Sequence, residues 1–147
     1  MDGEMLKLGR QLCFPLYAAA KEVVNRYAPL LDGIGLTYTQ YIAMLVLWER
    51  GSVGVKELGE CLYLDSGTLT PLLKRLEGKG LVRRARSSED ERAVIVTLTE
   101  AGVRLKERAA EIPEKMRECM PLSAEEARTL YALLYKLLEN LDCGGRA

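Results

Sequence analysis

Apolar positions recur at helical spacing along most of the chain, and this pattern predicts a mainly helical protein. The first helical stretch covers about 6–27, and Pro15 within it either kinks the helix or occupies its first turn. The next helix is expected over about 38–49, where Thr37 is a suitable N-cap and Gln40 completes a capping box. Because this second helix is almost entirely apolar, we expect it to be buried.

The centre of the chain changes from helical to extended patterning. A short helix over 56–62 is followed by a turn rich in capping residues and by a helix over about 68–79. Two extended runs, 81–86 and 93–98, enclose a polar turn and predict a β-hairpin, and the brief segment 52–55 predicts a bridging strand. Two short helices joined by a tight turn and followed by a hairpin predict a winged helix-turn-helix.

The C-terminal third is again helical. A helical stretch over 99–118 is interrupted by Pro113, and a last helix is expected to extend from its N-cap Ser123 to 141, with Glu126 in the capping-box position. Apolar stripes at both ends of the chain exceed what one small lobe can cover, so we expect two copies to pair. The predicted fold is therefore α+β, mainly α with a small β wing, with the terminal helices forming a dimerisation layer.

The charges are unevenly distributed although the chain has no net charge. Residues 66–86 contain six basic residues and one acidic residue, an excess that attracts a phosphate backbone. Small hydroxyls at the start of the second short helix suit a recognition helix, and wing arginines suit an adjoining minor groove. The predicted contacts to a palindromic double-stranded DNA are Ser66, Thr68, Thr70, Lys74, Arg75, Arg83, Arg84, Arg86, Asp90 and Arg92. The expected organisation is one domain over 1–147, with dimerisation helices at about 6–30 and 104–141 and a DNA-binding lobe at about 36–100.

The absence of histidine removes several classes of enzyme and metal site, including Ser-His-Asp hydrolases and HExxH zinc enzymes. The four cysteines form no CxxC motif, so we expect neither a metal site nor a cofactor, and no enzyme activity. No apolar run approaches the roughly 20 residues of a membrane span, and the N-terminus has no apolar signal region. We therefore expect a cytoplasmic protein with no membrane partner.

Several stretches resemble a known family of regulators. Asp90-x-Arg92 followed by Leu98-Thr99 resembles the wing motif of the MarR family, and within that family the chain resembles the organic-hydroperoxide-sensing repressors of the OhrR type. The resemblance covers about 6–112 and is most specific in the recognition-helix block. The matching stretches are 11–14, 36–41, 47–49 and 62–75.

The resemblance implies a dimer with intertwined terminal helices, which binds an operator when reduced and releases it when a cysteine is oxidised by organic hydroperoxide. The position that matches this cysteine is Cys13, and the matching tyrosines of its hydrogen-bond network are Tyr17, Tyr27 and Tyr38. The last two are implied to reach from the partner subunit. Independently of the family, Tyr17 follows Cys13 by four residues and therefore shares its helical face.

We predict a different role for each of the other three cysteines. Two-cysteine members of the subgroup carry a resolving cysteine in the C-terminal region, which makes Cys119 a candidate, while a small-molecule thiol is the alternative. Cys61 is interpreted as a packing residue at a helical core position, and Cys143 as an exposed thiol in a glycine-rich tail.

Three other functions stay open at this point. A MarR-type regulator released by a bound phenolic or other small anion would not need Cys13. A thiol peroxidase would share the first chemical step but would consume hydroperoxide catalytically. An architectural DNA binder would ignore oxidants altogether.

Overall fold

A long first helix, α1, comprises Cys13–Asp32 in the computed structural model, which describes residues 3–141. Two 3₁₀ turns, Gly3–Leu6 and Leu8–Arg10, precede it, so the predicted helical start near residue 6 is wrong. Pro15 lies in the first turn of α1, where its missing N–H leaves no intrahelical acceptor unpaired, and the first-turn alternative is confirmed. The helix also continues through Pro29, which lies in its last turn, and ends at Asp32.

The winged helix-turn-helix is present, and the largest change of boundary is at the start of the recognition helix. Asp65 caps the recognition helix by accepting the backbone N–H of Thr68 at 2.8 Å, so this helix begins two residues earlier than predicted. The predicted capping box of the second helix is confirmed. The elements are α2 (Tyr38–Arg50), β1 (Ser52–Gly54), α3 (Val55–Leu62), α4 (Ser66–Gly78), β2 (Val82–Arg86) and β3 (Val94–Leu98).

The three strands form one antiparallel sheet in the order β1-β3-β2. Val96 at the centre of β3 pairs with Val53 on one side and with Arg84 on the other. The turn between β2 and β3 forms the tip of the wing, and β1 joins the wing to the helix-turn-helix.

Three helices follow the wing: α5 (Glu100–Ala109), α6 (Ile112–Cys119) and α7 (Ala124–Leu141). The predicted interruption near Pro113 is confirmed, since α6 starts with this proline in its first turn. Ser123 and Glu126 form the predicted capping box, with backbone-to-side-chain hydrogen bonds of 2.8 and 3.2 Å.

The buried core belongs to the winged-helix lobe and to the start of the C-terminal segment. Its fully buried side chains come from α1, α2, α3, α4 and the sheet, and they are Leu31, Met44, Leu47, Leu58, Leu69, Leu73, Leu76, Val82 and Val96. The helices at the two ends of the chain are much more exposed than this core. The last helix, α7, contains no buried residue, and the first turns of α1 expose Phe14 and Leu16. A single chain thus leaves a large apolar surface uncovered at both of its ends.

Gly102 is required by close packing of α5 against Leu81, which lies between α4 and β2. A Cβ atom at this position would overlap the carbonyl oxygen of Leu81 and press on the side chain of Leu98. We expect Gly102→Ala to lower the free energy of unfolding by about 3 kcal/mol and the Tm by roughly 10 °C. Gly78→Ala is the matched control, because no atom lies within 4 Å of its added Cβ. Thermal unfolding that ranks the two variants equally would contradict this assignment.

Candidate nucleic-acid interface and thiol site

The N-terminal end of α4 presents small hydroxyl side chains to solvent. Ser66, Thr68 and Thr70 are all exposed, and Lys74 and Arg75 extend the exposed surface along the same helix. The Asp65 carboxylate is engaged in capping, and its hydrogen bond from the Thr68 backbone lowers the pKa of that carboxyl. The positive end of the α4 dipole and the two basic side chains together favour an anionic polymer such as DNA.

Arg84 differs from its neighbours on the wing. Arg83 and Arg86 are exposed, whereas the Arg84 guanidinium pairs with Glu77 of α4 at 3.1 Å and its backbone N–H donates to the same carboxylate at 2.9 Å. These hydrogen bonds lower the pKa of the Glu77 carboxyl. The arrangement makes Arg84 a brace between the recognition helix and the wing, so Arg84 is not a free DNA-facing side chain.

The turn at the tip of the wing is held by local hydrogen bonds. The Asp90 carboxylate accepts the backbone N–H of Arg92 at 3.0 Å, and the Arg86 guanidinium donates to the carbonyl oxygen of Glu91 at 2.9 Å. Asp90 therefore shapes the turn through the backbone of Arg92. In the described part of the chain no ion pair involves the Arg92 guanidinium, which lies exposed at the tip.

An open groove separates the recognition helix from the wing. Its volume is about 950 Å³, and it is bounded on one side by α3 and α4 and on the other by the wing strands. The lining includes Ser66, Thr70, Arg84, Asp90 and Arg92. The structure thus brings residues of the helix and of the wing tip to one surface.

The cysteines of residues 3–141 are all free and exposed. Cys13 is the first residue of α1, at the positive end of the helix dipole, and Tyr17 lies one turn further along with 66% of its surface exposed. Cys119 is the last residue of α6. The interpretation of Cys61 as a core residue is wrong, because the buried side of α3 centres on Leu58 and its neighbour Gly59. Cys143 lies outside the described residues.

Three tyrosines, Tyr27, Tyr38 and Tyr41, form a cluster where α1 packs on α2. The Tyr27 and Tyr38 ring centroids are 4.9 Å apart, and the Tyr41 ring lies 5.7 Å from the first and 6.4 Å from the second. Burial raises the pKa of all three phenols. They consequently stay protonated at neutral pH and keep hydroxyl donors available. Tyr27 and Tyr38, which the family resemblance grouped together, thus belong to one face of one subunit.

Two aromatic residues of this region, Tyr41 and Trp48, were not identified from the sequence as part of the site. The sequence pattern assigned Tyr41 only to a buried helix, and nothing local distinguished this residue from its apolar neighbours. Trp48 was treated in the same way, yet its ring meets Tyr41 edge-on at 6.4 Å and its Nε1 donates to the Gly102 carbonyl oxygen at 2.8 Å. The aromatic contacts therefore continue from the tyrosine cluster to the base of α5, which directly follows the wing.

Comparison with known proteins places the chain among bacterial regulators. Residues 26–109 match the family described as transcriptional regulator SarA/Rot. The chain is 52% identical, over 136 residues and 92% of both chains, to the organic hydroperoxide resistance transcriptional regulator of Bacillus subtilis.

Solved structures of a related regulator have the same architecture. Reduced AbfR bound to DNA is 36% identical, with a TM-score of 0.78 over 94% of this chain and 96% of that one. AbfR with a disulfide formed is 37% identical, with a TM-score of 0.60 over 95% and 92% of the two chains. Within residues 3–141, no helix has the length and apolar character needed to cross a membrane. On this sequence identity, and on its winged-helix fold, the chain belongs to the MarR family of transcriptional regulators and, within it, to the organic-hydroperoxide (OhrR) group.

Proposed function

We propose that this protein is a homodimeric repressor that binds double-stranded DNA and releases it when an organic hydroperoxide oxidises Cys13. The observation that carries the proposal is the presence, in one chain, of an exposed thiol at the first residue of α1 and of an exposed basic surface on α4 and the wing. The protein acts in the cytoplasm as a regulator and not as an enzyme, since one oxidation event per thiol is enough for a switch.

The DNA-binding part of the proposal follows from the geometry of α4 and the wing. The exposed hydroxyls at the start of α4 suit the major groove, and the exposed Arg92 at the wing tip suits the neighbouring minor groove. AbfR in its reduced form is a DNA-bound relative, which supports the same use of this surface here. A two-fold dimer would present two such surfaces to a palindromic site with half-sites about one helical turn apart.

The dimer is supported by the apolar side chains that a single chain leaves exposed. On α7 these include Leu130, Leu133, Leu137 and Leu141, and on the N-terminal segment they include Leu12 and Phe14. Burying both surfaces against a second copy removes the apolar area from water. In such a dimer the first turn of α1 lies within the interface layer, so chemistry at Cys13 acts directly on the contact between subunits.

The chemical step is a two-electron oxidation of the Cys13 thiolate. Its sulfur attacks the peroxide oxygen that carries the proton, the O–O bond breaks, and the alkoxide leaves and takes up a proton to become an alcohol. The product is a sulfenic acid on Cys13. A second thiol then attacks this sulfur and releases water, giving a disulfide with Cys119 of either subunit or with a small-molecule thiol. The free, exposed thiol of Cys119 and the disulfide form of AbfR support the first route.

The tyrosine hydroxyls supply the link between sulfur chemistry and structure. The thiolate accepts hydrogen bonds from Tyr17 of the same helix and from Tyr27 and Tyr38 of the partner subunit. A sulfenic acid is larger than a thiolate, and its O–H group also donates a hydrogen bond. The network must therefore rearrange, which moves one subunit against the other and changes the spacing of the two recognition helices. A bistable interface of this kind needs only a few kcal/mol of bias to shift most of the population.

The test starts with a duplex that the reduced protein selects from a random-sequence pool. We expect this selected duplex to be palindromic and its binding to weaken steeply with salt. One equivalent of cumene hydroperoxide per Cys13 should release it, with no further peroxide consumed. Continued consumption when a reducing thiol such as dithiothreitol is supplied to regenerate Cys13 would identify a thiol peroxidase, and release by a phenolic anion without thiol modification would identify a ligand-responsive regulator. Indifference to both signals would identify an architectural DNA binder.

Two arginines of the wing should affect different properties when substituted, Arg92 the binding of DNA and Arg84 the stability of the fold. Arg92→Ala should weaken binding of the selected duplex about tenfold or more with unchanged Tm, because the exposed guanidinium meets DNA only. Arg84→Ala should lower the Tm, because Glu77 loses the guanidinium that ties α4 to the wing and keeps only the backbone N–H of residue 84. Fluorescence anisotropy and thermal unfolding measure the two effects. Wild-type affinity in Arg92→Ala would contradict the assignment of the wing tip.

A further inference from the structure

The C-terminal end of the recognition helix is tied to the first turn of the helix that carries Tyr38. Lys79 is the C-cap of α4, and its ammonium donates to the side-chain oxygen of Gln40 at 2.8 Å and to the carbonyl oxygen of Gly35 at 2.5 Å. Gln40 is 3% exposed and is the one buried polar side chain within residues 3–141. A buried amide oxygen requires partners, and this oxygen receives a second hydrogen bond from the backbone N–H of Thr37 at 3.1 Å.

The same helical turn carries one member of the tyrosine cluster. Thr37 caps α2, Tyr38 is its first residue, and Gln40 is its third, so a displacement of Tyr38 displaces the acceptor that holds Lys79. Tyr38 in turn packs against Tyr27 of α1, with the two rings tilted at 48° to each other. Apolar packing also joins α2 to α4, and the two hydrogen bonds to one ammonium add a directional link at the end of α4.

We propose that Lys79 and Gln40 are positioning residues that transmit the state of the tyrosine cluster to the recognition helix. This inference rests on the proposed function, in which oxidation at Cys13 rearranges Tyr27 and Tyr38. In the reduced protein the bridge holds the C-terminal end of α4 against the start of α2. When Tyr38 moves, the bridge carries the end of α4 with it and changes the angle at which Ser66 and Thr70 approach DNA.

The test compares how far oxidation weakens binding of the selected duplex in wild type and in variants. Coupling between two sites commonly changes affinity by about 5–150-fold, and we expect a wild-type ratio in this range. Lys79→Met and Gln40→Leu should each reduce the ratio at least about fivefold, and the double variant should lose no more than either single one. Gln40→Glu keeps an oxygen acceptor for both Thr37 and Lys79 and should retain the wild-type ratio.

Lys74→Met is the matched control, because Lys74 is an exposed lysine of the same helix without this bridge. It should weaken binding equally in both oxidation states and leave the ratio unchanged. The same behaviour in Lys79→Met would show that Lys79 only contacts phosphate, and a lowered Tm with an unchanged ratio would show a purely structural role; either result overturns the inference. If the wild-type protein binds DNA but does not respond to hydroperoxide, the proposed function itself is wrong. That result differs from one in which the wild type responds and the Lys79 and Gln40 variants respond equally, which would overturn only the role of the bridge.

Discussion

Cys13→Ser is expected to bind the selected duplex as tightly as the reduced wild type and to stay bound in hydroperoxide. A serine hydroxyl preserves the size of the side chain and its place at the start of α1, but it is not oxidised by peroxide. The wild-type protein should lose affinity by about 5–150-fold on oxidation, and the variant should lose none. Titration of both proteins by fluorescence anisotropy, before and after one equivalent of cumene hydroperoxide, measures this difference.

Cys61→Ser is the matched control for that experiment. Cys61 is also a free, exposed thiol, but it lies on α3 and outside the proposed sensor. It should respond to hydroperoxide as the wild type does. A Cys13→Ser protein that still leaves DNA, or a Cys61→Ser protein that no longer does, would contradict the assignment of the reactive thiol.

Placing two lysines on the apolar face of α7 should abolish the dimer and, with it, most operator affinity. Leu130 and Leu137 are seven residues apart on one face, and each is about two-fifths exposed in a single chain. Leu130→Lys/Leu137→Lys should therefore sediment as a monomer. A monomer binds only one half-site, and the lost linkage reduces affinity by about 10²–10⁴-fold.

The control for this prediction adds the same charge to the polar side of the same helix. Thr129 and Ala132 are exposed and lie on the sides of α7 that face away from Leu130 and Leu137. Thr129→Lys/Ala132→Lys should remain a dimer and bind the selected duplex. A monomeric apolar-face variant that retains full affinity would rule out the dimer as the binding unit, as would a stable, DNA-binding monomer after deletion of the segment following Ser123.

Local signals in the sequence predicted most of the helical architecture. Thr37 with Gln40 and Ser123 with Glu126 marked two helix starts correctly, because a capping box needs only residues within one turn. The wing was also predictable, since alternation and a polar turn define a hairpin locally. The first helix was predicted too long at its N-terminus, because apolar periodicity continues through segments that form 3₁₀ turns.

Tertiary contacts explain what the sequence did not reveal about the site. Arg83 and Arg84 are neighbours on a strand and therefore point to opposite faces, but only the packing of β2 on α4 shows that the face of Arg84 meets Glu77. Cys61 follows Leu58 by three residues, a spacing that favours a shared face, but α3 packs through Leu58 and Gly59 and leaves Cys61 exposed. The bridge from Lys79 to Gln40 joins residues 39 positions apart, and no periodicity encodes it.

The most direct test of the account measures DNA binding and thiol chemistry in the same sample. Reduced protein bound to the selected duplex is titrated with cumene hydroperoxide up to one equivalent per Cys13. Each sample of the titration is then divided in two: anisotropy measures the fraction of DNA released, and intact-mass analysis with peptide mapping measures the fraction of Cys13 that is modified. We expect the released fraction to equal the fraction of dimers modified at Cys13, whether as a Cys13–Cys119 disulfide or as a small-thiol adduct. Protein that has left the DNA with Cys13 unmodified would contradict it.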